Sequence, residues 1–192
     1  MNKTRLVVGI SGASGVPIAI EILKTLAATE QVETHLVVSR GAEETIRQET
    51  ALSLEELFRL ADVAHDNKNI GASIASGSFK TGGMIVAPCS MKTLAGIASG
   101  YSDTLLLRAA DVTLKESRRL VLLVRESPFS AIHLRNMLEL ARLGAVILPP
   151  VLTYYNHPAT IDDMTRHIAA KCLDFFSIEH PGFRRWGDET RN

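Results

Sequence analysis

The sequence of 192 residues predicts an α/β fold, with a doubly wound parallel sheet in a single domain. Short apolar runs alternate along the chain with longer amphipathic segments, the pattern of parallel strands connected by helices. The apolar runs are continuous, so both faces of each strand are expected to be covered. Hydrophobic residues make up 46% of the chain, enough for a sizeable core at this length. Together these observations indicate a Rossmann-like domain.

The individual elements follow from the spacing of the apolar residues. Five strands are expected, at residues 6–10, 34–38, 84–87, 120–124 and 145–148. Seven helices are expected from apolar positions at helical spacing, at residues 16–28, 42–49, 53–61, 91–99, 104–116, 132–143 and 161–176. Two segments break the alternation. Residues 65–83 are rich in Asn, Ser and Gly and read as a long functional loop, and a C-terminal tail of the 1–192 domain begins at about Glu179.

The composition excludes several classes of protein and several kinds of binding partner. The chain has 21 Lys plus Arg and 21 Asp plus Glu, so its net charge gives no reason to expect nucleic acid or a membrane surface as a partner. The two cysteines, Cys89 and Cys172, form neither a disulfide framework nor a zinc pattern. A cytoplasmic protein is the expectation, because the N-terminus carries no signal-peptide pattern. The histidines show no metal spacing, so no metal is assigned.

The residues that follow each strand are the candidates for a binding site, because ligands of open parallel sheets bind beyond the carboxyl ends of the strands. After the first strand, Gly12-Ala13-Ser14-Gly15 offers backbone N–H groups, a helix N-terminus and a hydroxyl, which suit a phosphate. The turn lacks both the GxGxxG fingerprint and the P-loop lysine. A purely structural turn explains these glycines equally well.

The other candidates for the binding site also have a simple structural explanation each. Ser90 and Thr93 follow the third strand, where they suit an anion site or simple helix capping. Arg108, Lys115 and Arg125 lie in or beside apolar stretches, which favours an anion as their partner over surface ion pairs such as Arg108 with Asp111. Glu49, taken by itself, reads as a surface carboxylate.

Taken together, these stretches closely resemble the UbiX-type flavin prenyltransferases, flavoproteins that share a fold with cysteine decarboxylases. The resemblance covers nearly the whole chain, and its combination of motifs is specific although each motif alone is not. The matching stretches are residues 9–15, 48–50, 74–79, 88–94, 108–116, 125–129, 144–150, 155–158 and 185–187.

The resemblance implies the reaction and the roles of the residues. A dimethylallyl group would pass from dimethylallyl phosphate to N5 and C6 of reduced FMN, giving prenylated FMN for a UbiD-type decarboxylase. The implied catalytic residues are Glu49 as acid/base, with Ser14 and Glu126. The implied FMN-binding residues are Gly12, Ala13, Ser14, Ser39, Ser90, Met91, Lys92, Thr93 and Arg125. The implied prenyl phosphate site contains Arg108, Lys115, Arg125, Glu126, Tyr155 and Lys171. A homo-oligomer, often a dodecamer, is also implied, with sites at subunit interfaces.

Two positions depart from the family pattern, and two other functions stay open. Lys171 stands where family members commonly have arginine, and Ile70 stands near a position that is often aromatic. Lysine keeps the charge but loses the two-pronged contact with phosphate.

The alternative functions are those of an FMN-dependent decarboxylase and of a non-catalytic flavin-binding subunit of an aromatic acid decarboxylase. The sequence leaves open whether the donor is a monophosphate or a pyrophosphate.

Overall fold

The computed structural model describes residues 3–187 as one α/β unit. Its strands are β1 (Thr4–Ile10), β2 (Val32–Val38), β3 (Val63–His65), β4 (Gly83–Cys89), β5 (Arg119–Val124) and β6 (Val146–Ile147). Its helices are α1 (Val16–Ala27), α2 (Arg40–Glu49), α3 (Leu54–Phe58), α4 (Met91–Ala98), α5 (Leu105–Lys115), α6 (Ala131–Arg142) and α7 (Ile161–Asp174). All seven predicted helices are present. The ends of the 1–192 domain proposed from the sequence lie outside the described residues.

The six strands form one parallel sheet in the order β3-β2-β1-β4-β5-β6. The chain moves outward from β1 to one edge and then returns to place β4 on the other side of β1. The connections after β1 and β4 therefore leave the sheet in opposite directions, which opens a crevice at their carboxyl ends. The predicted doubly wound fold is confirmed, and its switch point fixes where a ligand would lie.

Side chains from both faces of the sheet are buried, as the continuous apolar runs predicted. On one face Val8 and Ile10 pack with residues of α1 and α7. On the other face Val7 and Val86 pack with residues of α4, α5 and α6. Burial of such aliphatic side chains contributes roughly 1.5–3 kcal/mol each, so the two layers together dominate the stability of the sheet.

The segment predicted as a loop at residues 65–83 begins inside a strand that the sequence analysis missed. His65 ends β3, a short edge strand beside β2, and the segment also holds a 3₁₀ turn at Ser73–Ala75. Asn67 fastens this segment to the start of α5. Its backbone O accepts a hydrogen bond from the N–H of Leu105, and its Oδ1 accepts one from the N–H of Leu106, both at 2.9 Å. The loop is thus a well-anchored cover over one end of the crevice.

Both cysteines are fully buried and free. Burial raises the pKa of the Cys89 and Cys172 thiols to about 12. A thiol with such a pKa stays protonated at neutral pH, so neither residue is a nucleophile. Separately, no helix within residues 3–187 is long and apolar enough to cross a membrane.

Candidate active site

One buried hydroxyl joins the two turns that border the crevice. The Ser11 Oγ donates a hydrogen bond to the Pro88 carbonyl at 2.9 Å and accepts one from the Ser90 N–H at 2.8 Å. Ser11 is 0% exposed, and its own N–H also donates to the Pro88 carbonyl. The turns after β1 and β4 are therefore held at a fixed separation. Sequence reasoning placed Ser11 in the first turn but gave it no role, because its partners lie 77 and 79 residues away.

Two helices begin at this crevice, each with a serine at its N-cap. The Ser39 Oγ accepts a hydrogen bond from the Ala42 N–H at the start of α2. The Ser90 Oγ accepts one from the Thr93 N–H at the start of α4 and donates to the Thr93 Oγ1 at 3.1 Å. The capping interpretation of Ser90 is thus confirmed. Capping leaves other N–H groups of each first turn without an acceptor inside the helix, and such groups attract anions.

Most of the residues predicted to bind FMN line one cavity of about 990 Å³ at this point. Sequence reasoning did not assign the apolar part of the wall, which includes Tyr101, Leu106 and Ile132. Of the predicted residues, the cavity brings together Gly12, Ser39, Ser90, Met91, Lys92, Thr93 and Glu126. Those apolar side chains come from α5, from α6 and from the segment before α5, whose position over the crevice only the tertiary structure shows.

The turn after β1 approaches the start of α2 so closely that it requires glycine. A Cβ atom on Gly12 would lie 2.8 Å from the backbone carbon of Gly41. Real Cβ contacts of this length do not occur, so any larger residue would push the two backbones apart. Gly15 in the same turn has a φ of 115°, a left-handed conformation that also favours glycine. The glycines therefore set the shape of the cavity wall.

Glu49 occupies the N-terminus of α1. Its Oε2 accepts hydrogen bonds from the N–H groups of Gly15 and Val16, both at 2.9 Å. The Ala13 N–H is also engaged, donating to the Ser11 carbonyl at 2.8 Å. The expectation that this turn offers free N–H groups is therefore wrong for Ala13 and Gly15. The interpretation of Glu49 as a plain surface carboxylate is also wrong, since its helix-capping bonds place it beside the predicted FMN turn.

The residues of the large cavity fit the FMN that the family implies. A phosphate group fits at the N-termini of α2 and α4, where two helix dipoles and their first N–H groups meet. The close approach of Gly12 to Gly41 keeps side chains away from that point. The volume of about 990 Å³ and the partly apolar wall are those of sites that enclose a ligand of this size.

Tyr155 and Lys171 lie together in a second cavity, of about 480 Å³, beyond the carboxyl end of β6. The Tyr155 hydroxyl donates to the Arg184 carbonyl at 3.3 Å and lies 3.5 Å from the Nε2 of His167. Burial, and next the charge of Lys171, hold the pKa of His167 below its ordinary value. His167 is therefore neutral at pH 7, and the positive charge of this cavity comes from Lys171 and from Arg185, which also lines it.

The remaining predicted cations lie elsewhere on the subunit. Arg108 pairs with Asp111 at 2.7 Å and donates to the Ala75 carbonyl, and Lys115 pairs with Glu116 at 2.5 Å. Neither of these cations lines the two cavities, as far as the described residues go. The ion-pair alternative is thus realised for Arg108 with Asp111 within one subunit.

Three of the predicted residues, among them Glu126 of the large cavity, are exposed near the carboxyl edge of the sheet. Arg125 follows β5, and its N–H donates to the Cys89 carbonyl at 3.1 Å, while Glu126 accepts from the Ser127 N–H. Ser14 lies on the exposed side of the first turn. Their roles in FMN binding and catalysis stay predictions.

Comparison with known proteins places this geometry in a family. A family model described as "Flavoprotein" matches residues 1–172. A "probable UbiX-like flavin prenyltransferase" of Sedimentibacter hydroxybenzoicus is 56% identical over 182 residues, covering 95% of this chain and 96% of the relative.

Two solved structures are similar over nearly the full length. One is a dodecameric FMN-dependent UbiX-like decarboxylase from Escherichia coli O157:H7, 52% identical with a TM-score of 0.94, covering 95% of this chain and 99% of that one. The other is AnUbiX (PadA1) in complex with FMN and dimethylallyl pyrophosphate, 48% identical with a TM-score of 0.94, covering 96% and 98%. This chain therefore belongs to the flavoprotein family and, within it, to the UbiX-like flavin prenyltransferases.

Proposed function

We propose that this chain is a flavin prenyltransferase that joins a dimethylallyl group from dimethylallyl phosphate to N5 and C6 of reduced FMN. The observation that carries the proposal is the pair of cavities at the carboxyl edge of the sheet. One has two helix N-termini and a glycine turn suited to FMN, and the other has a lysine and a tyrosine suited to a small phosphate ester. Reduced FMN supplies the nucleophilic nitrogen and ring carbon for this chemistry.

The chain's own residues would hold the phosphate and move a proton. Lys171 and Tyr155 would bind the prenyl phosphate, and their positive charge and hydroxyl would stabilise the phosphate as it leaves. Glu49 would act as the acid/base of ring closure, in which C6 of the flavin would lose a proton and the prenyl double bond would gain one. Both backbone N–H groups donate to the Oε2 of Glu49, and within the described residues its Oε1 takes no hydrogen bond. One carboxylate oxygen thus anchors the side chain, and the other would take part in the proton transfer.

The first prediction is the identity of the bound flavin. Purified protein should bind FMN well and FAD or NAD poorly, because the turn after β1 carries no diphosphate motif and the two helix N-termini suit one phosphate group. Mass spectrometry of the ligand released on denaturation, with titration of each nucleotide, checks this. Recovery of FAD or a nicotinamide nucleotide alone would overturn it.

A second prediction concerns Lys171. Lys171→Ala should raise the KM for dimethylallyl phosphate and leave the affinity for FMN unchanged, since Lys171 lines the second cavity and not the first. Lys171→Arg should be tolerated or should improve phosphate binding, because a guanidinium engages two oxygens at once. Steady-state kinetics with both variants decides. An alanine variant with wild-type KM and turnover would mean that Lys171 is a surface residue.

We further infer that the active form is a homo-oligomer. Arg108 and Lys115 are predicted to contact the same phosphate as Lys171, yet they line neither cavity of their own subunit. A neighbouring subunit could bring them to it. The exposed apolar side chains of α6, Ile132, Leu134 and Leu138, offer a surface for such packing, and the E. coli relative is dodecameric.

The decarboxylase alternative is tested with the same protein. The E. coli relative is called a decarboxylase, but a decarboxylase of the peptidyl-cysteine type would need a histidine near the flavin. Among the described residues that line the large cavity there is no histidine. Purified protein with reduced FMN and dimethylallyl phosphate should form prenylated flavin. A chain that releases CO₂ from an aromatic acid instead would be a decarboxylase, and one that binds FMN without turnover would be a flavin-binding subunit.

We also propose a UbiD-type decarboxylase as the recipient of the product and the cytoplasm as the location. Prenylated FMN is useful only to an enzyme that takes it as a cofactor. The two free, buried thiols are those of a protein that needs no disulfide.

A further inference from the structure

The turn that ends α5 brings Arg118 back to the loop of residues 65–83. Ser117 has a φ of 53°, a left-handed conformation, and its N–H donates to the Leu114 carbonyl at 2.9 Å. The Arg118 N–H donates to the Thr113 carbonyl at 2.9 Å, which completes a Schellman motif at the end of the helix. The end of α5 therefore fixes where the Arg118 side chain begins.

The Arg118 guanidinium holds two carbonyl groups of this loop. Its Nη2 donates to the Gly77 carbonyl at 2.6 Å, and its Nη1 donates to the Phe79 carbonyl at 3.0 Å. The Arg118 side chain is 15% exposed, so these bonds are largely shielded from water, and hydrogen bonds from a charged donor are stronger than neutral ones. Arg118 thus fixes the backbone of residues 77–79 against the end of α5.

Gly77 lies against the ion pair of Lys115 and Glu116. A Cβ atom on Gly77 would overlap the Glu116 Oε1 and would lie 2.8 Å from the Lys115 Nζ. The ion pair therefore occupies the space that any other residue at position 77 would fill. Within residues 3–187 the Lys115 Nζ donates one hydrogen bond, to Glu116, so two of its three N–H groups are left for a ligand.

We propose that Arg118 is a positioning residue of the prenyl donor site, which sets where the Lys115 ammonium meets the phosphate by holding Gly77 against the Lys115–Glu116 pair. The inference rests on the proposed function, in which Lys115 contacts the phosphate of the prenyl donor. Arg118 acts through Lys115 and needs no contact with the substrate. If the loop moved away, the ammonium could occupy more positions, and binding the phosphate would then cost more side-chain entropy.

The competing explanation is that Arg118 only stabilises the loop. The Lys115 side chain is 45% exposed, and on that explanation it would find the phosphate equally well without Arg118. Removal of Arg118 would then lower the free energy of unfolding and leave the affinity for the prenyl phosphate unchanged. The two explanations therefore differ in a quantity that can be measured directly.

The test compares Arg118→Ala with Arg119→Ala in the full chain loaded with FMN. Arg119 is the adjacent, exposed arginine at the start of β5, so its change removes the same charge but neither loop hydrogen bond. Arg118→Ala should raise the KM for dimethylallyl phosphate by about 10-fold, the equivalent of one hydrogen bond. FMN affinity should be unchanged, because neither Arg118 nor Gly77 lines the large cavity. Arg119→Ala should change the KM less than about threefold. A wild-type KM in Arg118→Ala would overturn the proposal.

A double-mutant cycle separates positioning from stability. In Lys115→Ala protein there is no ammonium to place, so adding Arg118→Ala should raise the KM less than about threefold further. A purely structural role would cost the same in both backgrounds. Equal costs in the two backgrounds would therefore rule out positioning of Lys115.

Gly77→Ala tests the same contact if Arg118→Ala fails to fold. The new methyl group would displace the ends of two flexible side chains, Lys115 and Glu116, so the backbone can stay in place. This variant should raise the KM by about 10-fold as well. Gly71→Ala in the same loop is the control, since its Cβ would lie in ordinary contact, 3.5 Å from the Asn69 Oδ1. Equal KM values in the two alanine variants would contradict the proposal.

Direct binding keeps this inference separate from the proposed function. Calorimetric titration of dimethylallyl phosphate and of inorganic phosphate into FMN-loaded protein needs no turnover. Weaker phosphate binding in Arg118→Ala, in a protein that forms no prenylated flavin, would support the positioning role while refuting the prenyltransferase. Undiminished phosphate binding in that variant would refute the positioning role even if the wild-type protein forms the product.

Discussion

Glu49→Gln should lower turnover by about 10²-fold or more while FMN binding is retained. Glutamine has nearly the same shape, and its carbonyl oxygen can still accept from the N–H groups of Gly15 and Val16. What the variant loses is the negative charge and the capacity to take a proton. Single-turnover measurement of prenylated flavin, with FMN affinity from fluorescence titration, separates chemistry from binding.

The capping bonds of Glu49 require a stability control. Loss of the carboxylate charge at the N-terminus of α1 should lower the free energy of unfolding by about 0.5–2 kcal/mol, which urea denaturation measures. Glu44→Gln removes a charge from α2, the helix that carries Glu49, at an exposed ion pair with Arg47, and should leave turnover unchanged. If Glu49→Gln turns over like the wild type, Glu49 is a helix cap and has no part in the reaction.

Gly12→Ala should weaken FMN binding by about 10- to 100-fold, the cost of forcing an extra methyl group into a packed contact. The new Cβ would lie 2.8 Å from the backbone carbon of Gly41, and neither backbone can rotate out of the way as a side chain could. The turn after β1 would have to move away from α2, which widens the phosphate end of the cavity. Fluorescence titration of FMN measures the loss.

The opposite side of the same contact provides the matched control. A Cβ on Gly41 would lie 3.5 Å from the Gly12 Cα, which is ordinary van der Waals contact. Gly41→Ala adds the same methyl group without pushing the backbones apart, and because Gly41 itself lines the cavity we expect it to lower FMN affinity, but less than Gly12→Ala does. Equal affinities of the two variants would show that the close approach does not shape the FMN site.

Much of the fold could be predicted because the sheet is parallel and covered on both faces. Continuous apolar runs marked β1, β2, β4 and β5, and helical spacing marked all seven helices. The strand β3 escaped because it has three residues at the sheet edge, where its Val63 is 37% exposed. No apolar run distinguishes such a strand from the loop that follows it.

Only the part of the site that directly follows the strands could be predicted from the sequence. The rule that ligands bind beyond the carboxyl ends of parallel strands located Gly12, Ser39 and Ser90, which line one cavity. The anchoring of Glu49 could not be predicted, because its partners are backbone N–H groups 33 and 34 residues away. The grouping of Lys171 with Arg185 needed the tail to fold back onto α7, a tertiary contact that leaves no periodic signal in the sequence.

The hydroxyl of Ser11 has a consequence for how the flavin would enter. Because the hydroxyl and the N–H of Ser11 both tie the turn after β1 to the turn after β4, the binding surface exists before any ligand arrives. Association would then require no ordering of loops, and its rate would depend on diffusion and on the field of the helix ends. The heat-capacity change of association would likewise report the surface that the flavin covers, without a contribution from folding.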